Sequence, residues 1–433
     1  MFPRECTTLL FDSFLAAIAA ADPLQIVARE LPAAPARGPV LVVGAGKAAA
    51  AMAYAVEAAW PDVAIEGIVI TRYGHGLATR SVRVVEAGHP VPDDAGAKAA
   101  AEILRRATRM DPSGLMLVLV SGGGSSLMTL PAEGLGMDDL QALNRELLRC
   151  GAPIADMNIV RKHVSAITGG RLAAACPAPV LALIISDVTG DDPSAIASGP
   201  CAPDASTFQA ALDIVARYQM QVPSAVLAHL SRGSRGEIAE TPKANDPLFG
   251  RVRNHIIATP HGALESAAAY FRAQRIPTAI LGDTVTGEAR EAAKVYAALV
   301  REICRFGQPW RAPIALISGG ECTVTIPKQN SATGRGGRCT EFLLALAIEL
   351  EGMADVSALA CDTDGIDGSE DNAGAILYPD TLLRARAQGL SAERYLASND
   401  AWGFFSALDD LVVTGPTRTN VNDYRVILIH PKA

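Results

Sequence analysis

Short, almost uninterrupted apolar runs recur along the chain, and each one ends in glycine, proline or polar residues. A run of this length with such boundaries is typical of a strand that is buried on both faces of a parallel sheet. Longer segments between the runs favour helices. The predicted strands are 40–43, 64–71, 82–86, 115–120, 180–185, 251–258, 279–282, 356–361 and 425–429, with a further strand that begins at residue 314.

The alternation of strand and helix sets the predicted fold class. It predicts an α/β protein with right-handed crossovers, whose first domain is a doubly wound, mostly parallel, Rossmann-like sheet. A polar stretch at residues 231–250 interrupts the alternation and is the predicted hinge or long loop. We therefore expect a first domain at residues 1–240 and a second, smaller α/β sheet at residues 241–433, with the active site in the cleft between them.

Residues 115–126, LMLVLVSGGGSS, are the segment around which the candidate chemistry is arranged. The three glycines past the strand carry no Cβ, so backbone N–H groups there can turn toward an anion. A second strand that ends in Ser-Gly-Gly occurs at residues 314–322. The alternative is that each loop is only a tight strand exit packed under a helix. The predicted phosphate-binding residues are Ser121, Gly122, Gly123, Gly124, Ser125 and Ser126.

The segment GAGKAA at residues 44–49 follows the first predicted strand and satisfies the dinucleotide-binding pattern G-x-G-x-x-G/A. The next strand ends in a threonine and Arg72, without the acid that would hold a ribose in such a site. Because Arg72 suits a 2′-phosphate instead, a reductase that uses NADP remains an alternative.

Lys47 lies at the predicted start of a helix, where a cation opposes the helix dipole. A lysine is tolerated there more easily if an anion binds beside it. Lys47 and its neighbour Gly46 are therefore candidate phosphate-binding residues.

Acidic residues follow two of the predicted strands, at the edge where open α/β sheets bind ligands. Asp187 follows the strand at 180–185, and Asp364 and Asp367 follow the strand at 356–361. Because Mg²⁺ commonly uses one or two carboxylates together with substrate phosphates, these three acids are the predicted metal ligands. One aspartate, Asp187 or Asp364, is also expected to orient or deprotonate a substrate hydroxyl.

Basic residues accompany glycine turns in both halves of the chain. Arg161 and Lys162 precede a Thr-Gly-Gly turn, and the alternative is that they form a solvated basic helix face. Arg338 ends a Gly/Arg loop and introduces an apolar helix. Its planar fork can bind a carboxylate or a phosphate with two hydrogen bonds.

Composition narrows the expected partners. The net charge of −8, without a dense run of lysine and arginine, argues against nucleic acid. Eight cysteines occur without a CxxC pair, which is typical of reduced thiols in a cytoplasmic protein. The N-terminal segment contains acids and fits an amphipathic helix better than a signal peptide. No apolar run is long enough to span a membrane. We expect small-molecule substrates and a monomer or homodimer.

Taken in chain order, these segments resemble type II glycerate kinases, the glycerate 2-kinase family whose C-terminal part is called MOFRL. The resemblance covers nearly the whole chain, and it implies ATP- and Mg²⁺-dependent phosphorylation of D-glycerate at its 2-hydroxyl, giving 2-phosphoglycerate and ADP. The motifs that carry it are GAGKAA, AGHPVPD, VLVSGGGSS, NIVRKHVSAITGGRLA, ISDVTGDDPSAIASGP, SGGECTV, GRGGR, DTDGIDG and TNVND.

The resemblance also implies roles for individual residues, and two alternative functions stay open. Lys47 and Arg338 match the family's proposed catalytic cations. Members have often been labelled hydroxypyruvate reductases, so an NADP-dependent hydroxypyruvate or tartronate semialdehyde reductase is the alternative function, and a non-catalytic sugar-acid sensor is a third. The expected substrate-binding residues are His89, Arg161, Lys162 and Asn422. The chain departs from the family pattern at Cys339 and Thr340, which replace Asn-Gln, at Arg418, which replaces glycine, and at Thr168, which stands where lysine is common.

Overall fold

The structure is a computed structural model that describes residues 3–34, 38–327 and 334–431. The chain divides into two compact units, one formed by residues 23–257 and the other by residues 1–22 together with residues 258–433. Each unit is built around its own six-stranded sheet.

The sheet of the first unit contains strands in the order β3-β2-β1-β4-β5-β6, and they run parallel. This confirms the predicted doubly wound, Rossmann-like architecture. The central strands β1, β4 and β5 are nearly continuous apolar runs because helices cover both faces of the sheet, whereas the edge strand β6 contains Arg253, Asn254 and His255. The strand bounds are β1 Val40–Ala45, β2 Ile65–Arg72, β3 Val82–Ala87, β4 Leu115–Val120, β5 Val180–Ile185 and β6 Val252–Ala258.

Nine described helices accompany this sheet. Several are amphipathic, with alanine and leucine facing the core, and five of them begin at a capping side chain or a proline. They are α2 Pro23–Glu30, α3 Ala49–Ala59, α4 Asp94–Ala107, α5 Gly124–Leu127, α6 Met137–Arg149, α7 Ile154–His163, α8 Arg171–Ala175, α9 Phe208–Arg217 and α10 Ser224–Ser234.

The strand order of the first sheet reverses between β1 and β4. From β1 the chain proceeds outward to β2 and β3, and then returns to β4 on the other side of β1. Open α/β sheets bind ligands beyond the carboxyl ends of the strands at such a switch point. Two loops leave the sheet there. We call residues 46–49, after β1, the lysine turn, and residues 121–126, after β4, the glycine loop.

The sheet of the second unit is mixed and, like the first, has six strands, in the order β11-β10-β9-β12-β8-β7. β12 runs antiparallel to both of its neighbours, β8 and β9. The first residue of β12, Asp423, therefore lies between the last residues of the neighbouring strands, Gly320 and Asp362. The strand bounds are β7 Thr278–Val285, β8 Ile314–Gly320, β9 Val356–Asp362, β10 Gly374–Leu377, β11 Leu411–Val412 and β12 Asp423–Ile429.

The described helices of the second unit include α13, which follows the Gly/Arg loop and packs almost entirely apolar side chains into the core. The helices are α1 Pro3–Ala19, α11 Pro260–Ala273, α12 Ala289–Phe306, α13 Arg338–Leu350, α14 Thr381–Ala387, α15 Ala392–Ala397 and α16 Ala401–Ala407.

The apolar N-terminal segment is a structural part of the second unit. Leu10 and Phe14 of α1 are fully buried, and the Phe14 ring stacks on Tyr424 at 5.9 Å between centroids. Within the described part of the chain, Thr7–Glu30 is the one stretch long and apolar enough to cross a membrane, by length and composition alone. Residues 20–22 between α1 and α2 are not helical, and the burial of α1 accounts for its apolar residues.

The polar stretch at residues 231–250 contains the end of α10, an irregular segment and a short 3-10 helix, Pro247–Arg251. β6 follows and joins the edge of the first sheet beside β5. The division between the compact units accordingly falls after β6, at residue 257, rather than inside the polar stretch.

Candidate active site

The lysine turn after β1 and the glycine loop after β4 are joined by backbone contacts. The Lys47 N–H donates to the carbonyl oxygen of Gly122 at 2.9 Å, and the Ala48 N–H donates to Ser121 Oγ at 3.0 Å. A Cβ at Gly46 would lie 2.0 Å from Ser121 Oγ, so only glycine permits this approach. The two loops therefore form one rigid edge at the switch point of the first sheet.

Four consecutive N–H groups of the lysine turn are used inside the protein. Besides the two contacts to the glycine loop, the Gly46 N–H donates to the Ile70 carbonyl at 3.1 Å and the Ala49 N–H donates to the Gly46 carbonyl at 3.1 Å. A dinucleotide site needs donors at this helix start for the pyrophosphate. The GAGKAA segment thus has the sequence of a dinucleotide turn but not its available donors.

The glycine loop differs from the lysine turn in the availability of its backbone N–H groups. In the described part of the chain, no acceptor lies within hydrogen-bond distance of the N–H groups of Gly122 and Gly123. Gly122 is buried, and a buried N–H without a partner costs free energy. An anionic oxygen bound at this loop would satisfy both donors.

Gly123 is the point where the candidate phosphate loop meets two predicted site residues. It has a left-handed backbone, with φ at 82°. A Cβ built on it would lie 2.9 Å from Cδ2 and Nε2 of the His89 ring and 3.6 Å from Cγ of Lys47. The structure therefore brings Lys47, His89 and the glycine loop together.

We expect Gly123→Ala to lower turnover by about 10-fold or more, because the new methyl group displaces His89 and disturbs the loop. Gly236→Ala is the matched control, since Gly236 has a φ of 77° and no atom lies within 4 Å of its added Cβ. Both variants carry a left-handed strain of about 1 kcal/mol. Steady-state kinetics and thermal unfolding of the pair separate the two effects. Equal activity in both variants would contradict a functional role for the loop.

A chain of side chains leads from the glycine loop to a predicted substrate-binding arginine. Ser125 Oγ lies 2.9 Å from Ser198 Oγ, Ser198 Oγ donates to Asn158 Oδ1 at 3.3 Å, and Arg161 Nη1 donates to the same oxygen at 3.5 Å. Three consecutive residues, Ala197, Ser198 and Gly199, have left-handed φ values of 49°, 55° and 60°. Such strain in non-glycine residues is typical of functional sites.

Sequence reasoning did not single out Ser198 and Asn158, although both lie in segments that carry the family resemblance. Asn158 is one turn before Arg161 on α7, and a spacing of three on a helix puts both on one face. The left-handed backbone at Ser198 has no signal in the sequence beyond the glycine that follows it.

Arg161 and Lys162 are adjacent in sequence and differ in their surroundings. Lys162 is buried and forms an ion pair with Asp204, with Nζ and Oδ1 at 3.3 Å. Arg161 forms hydrogen bonds with the amide oxygens of Asn144 and Asn158, and no carboxylate within the described ranges pairs with it. Burial lowers the pKa of the Arg161 guanidinium. The charge of Lys162 is compensated, whereas Arg161 carries an uncompensated positive charge.

Asp187 leaves the sheet on the strand next to the glycine loop. β5 pairs in parallel with β4, with Ile184 opposite Val120, so Asp187 and the loop emerge from the same edge. This position suits a carboxylate that shares a Mg²⁺ ion with bound phosphates or accepts a substrate proton.

In the second unit, Arg338 is the centre of an ionic cluster. Its Nε donates to Asp423 Oδ1 at 2.7 Å, Nη2 donates to Asp362 Oδ2 at 2.7 Å, and Nη1 lies 3.0 Å from Glu321 Oε1. Arg425 pairs with the other oxygen of Asp423 at 2.5 Å. Burial alone lowers the pKa of Arg338, but the three carboxylates outweigh it and hold the pKa well above its ordinary value.

Two of the predicted residues of the second unit stabilise its own backbone. Asp367 accepts hydrogen bonds from the N–H groups of Cys339 and Thr340 at 3.0 and 2.8 Å, and it thus caps α13. Asp364 Oδ1 accepts from the Ile366 N–H at 2.9 Å.

Asn422 lies in the loop that packs against these acids. It has a left-handed φ of 65°, and its carbonyl accepts a hydrogen bond from the hydroxyl of Thr363 at 2.6 Å.

Over residues 3–34, 38–327 and 334–431, no group of three acidic, histidine or cysteine side chains could hold a metal ion. Mg²⁺ commonly binds through one or two carboxylates and completes its coordination with substrate oxygens and water.

Two family models match the chain. DUF4147, described as a domain of unknown function, matches residues 9–231, and the MOFRL family matches residues 314–423.

Relatives and solved structures match over nearly the full length. A protein of Agrobacterium vitis named as a candidate hydroxypyruvate reductase is 48% identical over 98% of this chain and 94% of its own. A glycerate 2-kinase of Pyrococcus horikoshii is 39% identical over 92% of this chain and 88% of its own. The crystal structure of a glycerate kinase from Thermotoga maritima superposes with a TM-score of 0.87 at 35% identity, covering 99% of this chain and 100% of that one.

Proposed function

This chain belongs to the DUF4147 and MOFRL family that includes glycerate kinases, and from that premise we propose that it phosphorylates D-glycerate. The γ-phosphoryl group of ATP is transferred to the 2-hydroxyl, and the products are 2-phosphoglycerate and ADP. The observation that carries the proposal is the glycine loop, whose two available N–H groups lie beside Lys47 and His89 at the switch point of the first sheet.

Phosphoryl transfer depends mainly on positioning and on cations around the transferring oxygens. We assign the binding of ATP phosphates to the loop from Ser121 to Ser126, with Gly46 shaping the floor beside it. Lys47 neutralises charge that develops on the γ-phosphoryl group. Asp187 orients the attacking hydroxyl and accepts its proton, because it emerges at the same edge of the sheet.

Mg²⁺ is the expected companion of ATP. When bound, it withdraws negative charge from the phosphate oxygens and holds them in a reactive arrangement. Asp187 fits such an ion, since Mg²⁺ takes few protein ligands when phosphates complete its shell. Asp364 is a second proposed ligand, whereas both oxygens of Asp367 are engaged at the start of α13.

Arg338 remains a proposed catalytic cation, with Asn422 and Lys162 as proposed substrate contacts. Nε, Nη1 and Nη2 of Arg338 each contact a carboxylate, so a substrate anion would share this guanidinium with three acids that already balance its charge. The charge of Lys162 is likewise already balanced, by Asp204. The first unit therefore supplies the better-supported part of the proposed site.

The reductase alternative is less well supported by the same geometry. A nicotinamide dinucleotide needs donors in the turn after β1, and the N–H groups of residues 46–49 are engaged inside the protein. Thr71 at the end of β2 is buried and donates to the Lys47 carbonyl at 3.4 Å.

We also propose a cytoplasmic enzyme, monomeric or homodimeric, that acts on small molecules and not on nucleic acid or membranes.

Paired assays on the purified protein test the function. We expect ADP to form from ATP and Mg²⁺ only when D-glycerate is added, and no oxidation of NADPH with hydroxypyruvate. Oxidation of NADPH without glycerate-dependent ADP would overturn the proposal in favour of the reductase. Binding of glycerate without turnover of either cofactor would favour a sensor.

A further inference from the structure

Arg161 carries a positive charge that its hydrogen-bond partners orient but do not neutralise. Its Nε donates to Asn144 Oδ1 at 3.1 Å, and its Nη1 donates to Asn158 Oδ1 at 3.5 Å. Both partners are neutral amides, which orient a guanidinium without cancelling its charge. In the described part of the chain, Nη2 has no hydrogen-bond partner, so the end of the fork formed by Nη1 and Nη2 can receive two oxygens.

We propose that Arg161 binds the carboxylate of the acceptor and thereby selects which hydroxyl is phosphorylated. This inference rests on the proposed glycerate kinase function and names the recognition element of the same site. A carboxylate matches the fork of a guanidinium with two parallel hydrogen bonds. Phosphate has the same matching geometry, so the test below distinguishes an acceptor carboxylate from a nucleotide phosphate.

The connection to the glycine loop favours the carboxylate. Arg161 does not touch the loop directly but is linked to Ser125 through Asn158 and Ser198. A group held by Arg161 thus lies beside the loop and not on it. The acceptor requires this arrangement, because its carboxylate must bind close to the γ-phosphoryl group without occupying the phosphate-binding N–H groups.

The structure of the acceptor decides which of its hydroxyls lies nearer to a carboxylate anchor. In glycerate the carboxylate is attached to the carbon that bears the 2-hydroxyl, and the 3-hydroxyl is one carbon farther away. A carboxylate anchored at Arg161 therefore holds the 2-hydroxyl one carbon nearer to the anchor than the 3-hydroxyl. Asn144, Asn158 and Ser198 are positioning residues, and the left-handed backbone at Ser198, with φ at 55°, holds its hydroxyl between loop and helix.

Arg161→Gln removes the charge and keeps a polar side chain of similar length. We expect the KM for D-glycerate to rise by about 30-fold or more, the usual effect of losing one partner of a buried, hydrogen-bonded charge pair. The KM for ATP should change little. The preference for glycerate over glycerol, an acceptor without a carboxylate, should fall by a similar factor. Arg149→Gln is the control, because Arg149 is exposed and pairs only with Glu146 on its own helix.

Ser198→Ala tests the link without removing the charge. It should keep most of the glycerate affinity and raise the fraction of 3-phosphoglycerate among the products. If Arg161→Gln does not fold, Arg161→Lys gives the same comparison, since an ammonium cannot replace the planar fork.

The outcomes separate the two proposals. A KM for ATP that rises as much as the KM for glycerate, or an unchanged preference over glycerol, would overturn the carboxylate assignment and leave Arg161 as a phosphate ligand. A wild-type protein that forms no ADP with glycerate would overturn the proposed function itself. Calorimetric titration with D-glycerate would then still decide this inference, which expects binding by the wild type and not by Arg161→Gln.

Discussion

Lys47→Ala should lower the turnover number by about 10²- to 10³-fold and leave the protein folded. Lys47 lies directly before α3, and its side chain passes beside Gly123 and the edge of the His89 ring. Removing one preorganised donor that stabilises transition-state charge costs about 3–4 kcal/mol in comparable enzymes. The loss should appear in kcat, because the charge on the transferring group is largest in the transition state.

The thermal stability of Lys47→Ala should change little, in contrast to its turnover number. A cation at a helix start opposes the helix dipole, so its removal should leave the unfolding midpoint within about 3 °C of wild type. Lys98→Ala, on the exposed face of α4, is the matched control and should change neither quantity. Near-normal turnover in Lys47→Ala would make the lysine a surface residue without a catalytic role.

Arg338→Ala should have a large effect on stability, with a loss of about 3–5 kcal/mol in the free energy of unfolding. The substitution removes the guanidinium that contacts both Asp362 and Asp423, which are nearly inaccessible to solvent at 4% and 1% exposure, and it leaves Arg425 paired with Asp423. Glu321, the third partner, is largely exposed and should contribute little. The expectation follows from the ionic cluster at the ends of β8, β9 and β12, whatever the role of Arg338 in catalysis.

Urea unfolding of Arg338→Ala, Asp423→Asn and the double variant measures this cluster. The double variant should be more stable than the sum of the single losses predicts, because each single variant already loses the ion pair between Arg338 and Asp423. Additive losses would contradict the ion pair at 2.7 Å. Arg338→Lys should retain part of the stability and lose more of the activity, since an ammonium cannot hold three carboxylates in the geometry of a fork.

The apolar runs of the sequence were sufficient to predict the first sheet. Its six strands are found within one or two residues of the predicted bounds. The signal is clearest in β1, β4 and β5, because strands covered on both faces are apolar throughout, whereas β6 also contains Arg253, Asn254 and His255. In the second sheet, β10 and β11 have only four and two residues, which is too short for any periodic signal. The antiparallel direction of β12 was not predicted either, since an apolar run does not encode the direction of a strand.

The candidate site was predictable where its signal is local. Three consecutive glycines after a buried strand indicate an anion loop by themselves, and a lysine at a helix start is conspicuous for an electrostatic reason. The different surroundings of Arg161 and Lys162 were not predictable. Neighbours on a helix point in directions about 100° apart, so Lys162 meets Asp204, which lies 42 residues later, and Arg161 meets only amides.

The dinucleotide pattern shows the limit of a motif. GAGKAA satisfies the spacing of glycines, and the structure provides the matching strand, turn and helix. The donors that such a motif should offer are consumed by Ile70, Ser121 and Gly122, which come from other parts of the sheet. The decisive information is therefore tertiary, and a sequence pattern does not contain it.

Identification of the phosphorylated product tests the central claim most directly. The purified protein is incubated with ATP, Mg²⁺ and D-glycerate, and the products are assigned by phosphorus NMR. The account predicts 2-phosphoglycerate and ADP in equal amounts, and neither when glycerate is omitted. Formation of 3-phosphoglycerate would contradict the assigned acceptor hydroxyl, and the absence of any phosphorylated glycerate would contradict the proposed kinase.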